Sequence, residues 1–272
     1  MKKSPRRVII KIGGSVLVGE GSFAPLASRI AAYLNNNPGV ERAYIVVSAM
    51  KGITDRAIDS IAPDPAAQHL LRSALIGEAG DPGQTESWDR PCRSLALLWG
   101  EIESAYLLKE AMSRIEIPAA VVTQLGQFPI AASGTYLRAS VDLRNSRRRF
   151  ASFDRMYRDQ RIIILSGFGA VNGDGDPTLL GRNASDYVAA ILSRLDARVD
   201  FVIFLKDVGG IYACYKTERQ TLITATSTEQ LRAAPPGKVL DHRVLDMINC
   251  DFHVTGTEMG VGGTIVRRGR PE

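Results

Sequence analysis

The chain has 272 residues, enough for one large α/β domain or two small ones, with 45% apolar and 23% charged residues, an ordinary globular balance. The net charge of +5 is spread along the chain outside Lys2–Arg7 and the run Arg144, Arg147, Arg148 and Arg149, without interleaved aromatic residues, so no nucleic-acid partner is expected. No apolar run is long enough to span a bilayer, and the basic start MKKSPRR leads into VIIKIGGSVLV, which Lys11 and two glycines break, so neither a membrane span nor a signal peptide is expected.

Residues 7–12, RVIIKI, read as a strand ending at Gly13-Gly14-Ser15. Burying an unpaired ammonium is costly. Lys11 therefore either snorkels from an edge strand or stands at the carboxyl edge of a parallel sheet, placed beside two glycines to meet a phosphate. The P-loop pattern is absent. Ser22–Asn36 has Phe23, Leu26, Ile30 and Leu34 at helical spacing, and Asn35-Asn36-Asn37-Pro38-Gly39 stops it. Residues 43–47, AYIVV, form a second strand, followed by the small and polar groups Ser48-Ala-Met-Lys-Gly-Ile-Thr54-Asp55. Ligands of open α/β sheets bind outside the carboxyl ends of strands, and two successive strand ends carry suitable chemistry.

Residues 60–90 are interrupted by Pro63, Pro65, Gly80, Pro82 and Gly83, and the tail GDPGQTESWD reads as a loop, with a lid left open as one role. Cys92–Ser113 is a long helix with a stripe of Leu95, Leu98, Ile102 and Ala105. Glu101 shares a face with Leu97, Ser104 and Leu108; it is either a solvated helix edge or a buried acid held for a ligand. Gly100 weakens the helix by ~1 kcal/mol relative to Ala and hints at a close approach there. A strand at 117–122, a β-hairpin from Phe128 to Val141 about Gly134, a helix over 147–158 and a strand at 161–165 follow.

Gly167–Leu192, GFGAVNGDGDPTLLGRNASDYVAAIL, runs from a strand end through a Gly/Asp-rich loop onto a helix from Asn183 to about Leu195. Such a turn directs free N–H groups and the positive helix end to one place, where Arg182, Ser185 and Asp186 also stand. A guanidinium there can hold a carboxylate; a simple Ser/Asp helix cap is the other reading. Residues 199–205 form another buried strand, ending in Lys206-Asp207-Val-Gly-Gly-Ile-Tyr212. Ser227 caps a short helix, Pro235-Pro-Gly-Lys238 leads into another around 239–249, and strands at 252–255 and after Gly260 close the chain.

Strands alternating with helices give a mostly parallel α/β sheet. Cys92, Cys214 and Cys250 and the three histidines lack metal-ligand spacing, so the cysteines read as reduced thiols of a cytoplasmic protein and no protein metal site is expected. The sequence also lacks a nucleophile elbow and a Rossmann fingerprint. Lysines, an arginine and oriented amides gathered at strand ends suit phosphoryl transfer, where positioning and charge neutralisation provide most of the catalysis.

Five segments in order resemble the amino acid kinase family, and within it the catalytic domain of the aspartokinases: Lys11-Ile-Gly-Gly-Ser15, Val47–Asp55, Trp99–Ser104, Gly181–Asp186 and Leu205–Tyr212. Lys238-Val-Leu and Gly262–Val266 extend the resemblance, which covers about residues 7–266. It implies a three-layer α/β sandwich of the carbamate kinase-like type, with a substrate lobe over about 1–165 and a nucleotide lobe over about 166–272. It implies ATP and Mg²⁺, phosphorylation of L-aspartate in amino acid biosynthesis, and a homodimer. By the same resemblance Lys11 holds the transferring phosphoryl group, and Gly13, Gly14 and Ser15 meet the phosphates. Asp186 organises the lysines, Arg182 takes a substrate carboxylate and Glu101 its ammonium. Ser48, Thr54, Asn183, Ala184 and Ser185 line the substrate pocket, and Lys206, Asp207, Tyr212 and Lys238 hold the nucleotide.

There are departures. Asn183 and Ala184 stand where the family usually has two glycines, and Ser15-Val16 stands where it has Thr-Ser. Tyr215-Lys-Thr-Glu replaces an Asp-Pro-Arg, with Lys216 as a substitute cation, and the sequence leaves no room for C-terminal regulatory domains, so feedback by lysine or threonine is not expected. Another amino acid or small carboxylate as acceptor, and a nucleotide-binding protein without turnover, remain as the other functional readings.

Overall fold

The computed structural model describes residues 7–62, 64–76, 89–122, 124–167, 169–182, 184–233 and 239–269. Strand β1 (Arg7–Ile12) is followed by α1 (Phe23–Asn36), β2 (Arg42–Val47), α2 (Ile53–Ile61), α3 (Pro65–Ile76), α4 (Pro91–Arg114) and β3 (Ala120–Val122). A hairpin of β4 (Ala132–Gly134) and β5 (Ala139–Val141) precedes α5 (Leu143–Met156), β6 (Ile162–Ser166), a second pair β7 (Gly169–Val171) and β8 (Pro177–Leu179), and α6 (Ser185–Leu195). The chain closes with β9 (Val199–Leu205), the pair β10 (Ile211–Ala213) and β11 (Thr221–Ile223), β12 (Ala225–Ser227), α7 (Thr228–Ala233), α8 (Arg243–Met247), β13 (Asp251–Thr255) and β14 (Thr264–Arg267).

Eight strands form one sheet in the order β12-β14-β13-β9-β1-β2-β6-β3. The six from β13 to β3 run parallel; β14 is antiparallel to its neighbour β13, and the edge strand β12 runs parallel to β14. Every residue of β1, β2 and β6 is buried, as expected of strands covered on both faces and written as near-continuous apolar runs. Val8, Ile10 and Ile12 join Ala43, Ile45 and Val47 under α1 and the second half of α4. Ile9, Tyr44, Val46, Ile163 and Leu165 face the opposite core, under α5 and α6. Helices on both faces of a mostly parallel sheet make the expected three-layer sandwich.

The two-residue alternation has one consequence for chemistry: Lys11 lies on the face of Ile9, so its side chain points at α6. The far end of that face also carries charge. Arg7 meets Asp196, the residue that ends α6, at 2.5 Å and Asp154 at 2.9 Å. Tyr44 donates to Asp196 at 2.8 Å, and Arg42 and Arg198 also pair with Asp154.

Several boundaries differ from the sequence reading. Helix α5 starts at Leu143 because Asp142 accepts the Asn145 amide at 2.9 Å. Helix α2 begins among the small and polar groups after β2 and runs through residues the sequence reading left unassigned, and α3 lies within the interrupted segment 60–90, of which 77–88 lie outside the described residues. The Gly/Asp loop holds the β7–β8 pair, turned by Asn172, whose side-chain oxygen accepts the amides of Asp174 and Asp176. The helix expected at 239–249 contracts to Arg243–Met247, and the strand expected at 117–122 to Ala120–Val122. Of the expected stripe on α4, Leu98 and Ala105 are buried and Ile102 packs against the core, while Leu95 is exposed; Leu97, Glu101, Ser104 and Leu108 are buried as well. Ser227 does cap α7, accepting from Gln230 while Gln230 accepts in return. Among the described residues no helix is long and apolar enough to cross a membrane.

Candidate active site

The parallel register brings strand ends level: Ile12 pairs with Val47 and Leu205, Val47 with Ser166, and Leu205 with Thr255. The loops leaving these ends, with Gly181, Arg182, Ser185, Asp186 and Leu240–Arg243, surround a cleft of about 760 Å³. Among the described residues it is lined by six Lys or Arg side chains against four carboxylates, a balance that favours an anionic ligand. Lys11, Gly13, Gly14, Ser15, Ser48, Thr54, Glu101, Arg182, Ser185, Asp186 and Lys206 all reach it.

Asp186 is the centre. It lies in the first turn of α6, only 3% exposed, with Lys11 Nζ 2.8 Å from Oδ1 and Lys206 Nζ 2.6 Å from Oδ2. Burial alone would push its carboxyl up; the ammonium groups of Lys11 and Lys206 outweigh burial and hold it below its ordinary value. The positive end of α6 acts in the same direction. Lys11 is fully enclosed. Burial brings its pKa down to about 8, against the opposing pull of Asp186 and of nearby Glu101. Neither Ser185 nor Asp186 caps the helix: the residue at the N-cap is Ala184, with no side-chain cap bond. Ser185 shares a 2.8 Å hydrogen bond with Ser48 instead.

On one wall Thr54 and Asp55 open α2, and Glu101 faces inward from α4. Gly100 is the point of closest approach: a Cβ there would lie 2.4 Å from Ile53 Cγ2. Arg182 follows Gly181, whose φ of +87° suits glycine, and its guanidinium meets Asp55 at 2.9 Å. Asp55 also pairs with Arg72 of α3. On the opposite wall Gly13 donates its amide to Leu205 O, while the amides of Gly14 and Ser15 have no protein acceptor among the described residues. A Cβ on Gly14 would come within 2.6 Å of Ala49 O, so the turn has no room for a side chain. Ser15 Oγ donates to Asp207 at 2.8 Å and fixes the first loop to the end of β9.

A family model, the amino acid kinase family, matches residues 6–252. The chain belongs to the amino acid kinase family. An aspartokinase of Rickettsia prowazekii is 28% identical over 208 residues, which cover 75% of this chain and 40% of that protein. Among solved structures, E. coli aspartokinase III in complex with aspartate and ADP superposes with a TM-score of 0.75 at 19% identity, over 97% of this chain and 65% of that one. Uridylate kinase from Archaeoglobus fulgidus superposes with a TM-score of 0.57 at 16% identity, over 95% of this chain and 99% of that one. The chain thus spans less than half of the Rickettsia protein, and the fold it shares carries more than one kind of kinase.

For this member of the amino acid kinase family the sequence-read residues do not all converge. Ala184 is fully buried behind the cleft wall, and Tyr212 stands on the β10–β11 pair away from the cleft lining, its ring 6.2 Å from that of Tyr215. Lys216 lies over the Tyr215 ring at 5.7 Å. Asn183 and Lys238 fall outside the described residues. The structure adds Asp241 and Arg243, the latter salt-bridged to the former at 2.6 Å, and brings Lys51 and Arg138 to the cleft. Asp55 was read only as part of a motif; its pairing with Arg182 spans 127 positions, and no local pattern announces it.

Proposed function

We propose that this chain transfers the γ-phosphoryl group of ATP to the side-chain carboxylate of a small amino acid, L-aspartate first, giving an acyl phosphate. The observation that carries the reading is one buried carboxylate with an ammonium on each oxygen, at the carboxyl edge of a parallel sheet. Asp186 keeps Lys11 and Lys206 side by side and offsets only one of their two charges, and the net positive charge that remains suits a phosphoryl group in transfer. In the step itself a carboxylate oxygen of the acceptor bonds to the γ-phosphorus, the bond to the β,γ-bridging oxygen breaks, and ADP leaves with its electron pair. A carboxylate is already ionised at neutral pH, so no general base is required.

In this reading Lys11 and the amides of Gly14 and Ser15 hold phosphate oxygens. Gly13 contributes shape, because its amide is already engaged. Both oxygens of Asp186 face ammonium groups, so a magnesium ion accompanying ATP would be carried by phosphate oxygens and water. Arg182 takes the acceptor's other carboxylate with the guanidinium donors Asp55 leaves over, Glu101 takes its ammonium, and Ser48, Thr54 and Ser185 line the pocket. Lys206, Asp207, Lys238 and, from the β10–β11 pair outside the cleft lining, Tyr212 serve the nucleotide. Residues 1–165 then form most of the acceptor lobe and 166–272 most of the nucleotide lobe, with Lys11, Gly14 and Ser15 crossing to the phosphates and Arg182 and Ser185 to the acceptor. A different amino acid or small carboxylate is the second reading, favoured by Asn183 and Ala184, which add side chains where the family usually has glycines.

The test is acyl-phosphate trapping with ATP, Mg²⁺, hydroxylamine and a panel of amino acids led by L-aspartate. Hydroxamate formed best with aspartate is the expected result, lowered by about 10²- to 10³-fold in Lys11→Met and Asp186→Asn. A signal with another carboxylate supports the second reading. No hydroxamate with any carboxylate, although ATP binds, overturns both.

A further inference from the structure

Arg243 is the most fully engaged cation at the cleft, yet no role in phosphoryl transfer falls to it. Its Nη1 donates to Leu180 O at 2.6 Å. Its Nε and Nη2 grip the two oxygens of Asp241 at 3.0 and 2.6 Å. Its guanidinium lies over the Tyr187 ring, 4.5 Å from the centroid. Each partner belongs to a different segment of the chain. Leu180 is two residues before Arg182 on the acceptor loop, Tyr187 follows Asp186 on α6, and Asp241 leads into α8. Asp241 also donates its backbone amide to Asp186 Oδ2 at 3.4 Å, and its carboxylate is buried. The same loop is also held by the backbone bridge of Leu180 to Arg138, by the Arg182 amide, which donates to Leu75 O at 3.0 Å, and by the Arg182–Asp55 pair, but none of these reaches Asp241 or α6.

We infer that Arg243, clamped by Asp241, is a positioning residue that makes acceptor binding and nucleotide binding depend on each other. The inference rests on the reading of the cleft as a carboxylate kinase site. Phosphate bound at Lys11 and Lys206 draws on the charges around Asp186. Any shift there is felt by Asp241 through its amide, and by Leu180 through the guanidinium that holds both. A planar fork with five donors can span a carboxylate, a carbonyl and a ring face at once; a lysine ammonium cannot. Linkage requires reciprocity: nucleotide changes acceptor affinity by the same factor as acceptor changes nucleotide affinity.

The experiment measures L-aspartate affinity with and without a non-hydrolysable ATP analogue and Mg²⁺, and the analogue's affinity with and without aspartate, by calorimetry. Hydrogen exchange of the peptide spanning 178–184 is followed in parallel. Wild type is expected to show a linkage of about five- to tenfold, reduced to about onefold in Arg243→Met, with analogue affinity in the absence of aspartate within about twofold of wild type. Arg243→Lys is expected to behave like Arg243→Met, and both to exchange faster over 178–184. Linkage retained in Arg243→Met, or fully restored by lysine, overturns the inference. So does an equal loss of both affinities with a lowered Tm, which marks a merely structural role. If Arg243→Met does not fold, Asp241→Asn reads the same linkage with the shape of the clamp preserved. Failure of wild type to bind aspartate or form its hydroxamate counts against the acceptor assignment; unchanged exchange over 178–184 in Arg243→Met counts against the clamp independently of activity.

Discussion

Lys11 is charged inside the sheet because Asp186 and Glu101 answer it, and its pKa is nevertheless brought down to about 8 by burial. An ammonium that holds phosphate must be protonated. The kcat/KM for ATP, which reports the free enzyme, is therefore expected to fall as pH rises through about 8, the value for Lys11. Bound nucleotide brings anions that raise the pKa of Lys11, so kcat falls only at higher pH. A pH–rate profile that stays flat from about pH 7 to about pH 10 contradicts this. The stability term has the opposite sign. Between about 8 and the ordinary 10.5 the unfolded chain holds the proton more firmly than the folded one, so the contribution of Lys11 to stability rises with pH over that window. The sequence alone left Lys11 between an edge-strand lysine and a phosphate ligand; the strands paired on both sides of β1 remove the first choice.

At the level of elements, the site is a set of close approaches between α2, α4 and α6 and the strand ends. Gly100→Ala tests one of them. Alanine should favour α4 by ~1 kcal/mol. Its methyl would lie 2.4 Å from Ile53 Cγ2 and 3.1 Å from Ala49 Cβ, and forcing that overlap costs typically about 1–3 kcal/mol. The expected net result is a lower urea midpoint and a raised acceptor KM, because Ile53 immediately precedes Thr54 and Asp55. A variant more stable than wild type, with unchanged KM, shows that the contact yields freely. The apolar period marked α4, and the glycine inside it hinted at a neighbour. Which neighbour, and that Leu95 would face solvent, followed only from packing. Helix α2 escaped notice for a related reason: only Ile58 of its nine residues is buried, and it begins at Gly52 with φ +82° and no side-chain cap.

Over the whole molecule, two charged clusters sit at opposite ends of the face shared by β1 and α6. The upper one, at Asp186, is open to the cleft; in the lower one Arg7 and Asp196 are buried, and Arg198 covers them from the solvent side. Asp154 in the lower cluster is brought down to about 2: burial would raise it, but Arg198 and Arg7 outweigh burial. Asp196 is lowered likewise, against burial, by Tyr44, Arg198 and Arg7. Such carboxylates add stability above the ordinary range near 4 that is lost as pH falls towards 2. Arg7→Met removes the buried one of the two cations that meet Asp196, whose side chain is 1% exposed, and leaves only the half-exposed Arg198. It is expected to cost about 3–5 kcal/mol in urea unfolding and to move acid unfolding to higher pH. Acid and urea midpoints equal to those of wild type exclude that role for the pair.

Alternating apolar strands and helices fixed the layered α/β class from local pattern alone, because burial on two faces writes itself as continuous apolar runs with glycine-rich ends. The same pattern located Lys11, Ser48, Arg182, Asp186 and Lys206, since each follows a buried strand or opens a buried helix. It could not pair them. The 2.8 and 2.6 Å contacts of Lys11 and Lys206 with Asp186, the hold of Asp55 on Arg182, and the grip of Arg243 on Leu180 and Asp241 join residues through space. Strand order and register set those meetings. Local propensity carries information about an element's own period and ends, whereas charge pairing across a cleft depends on which elements the sheet makes neighbours.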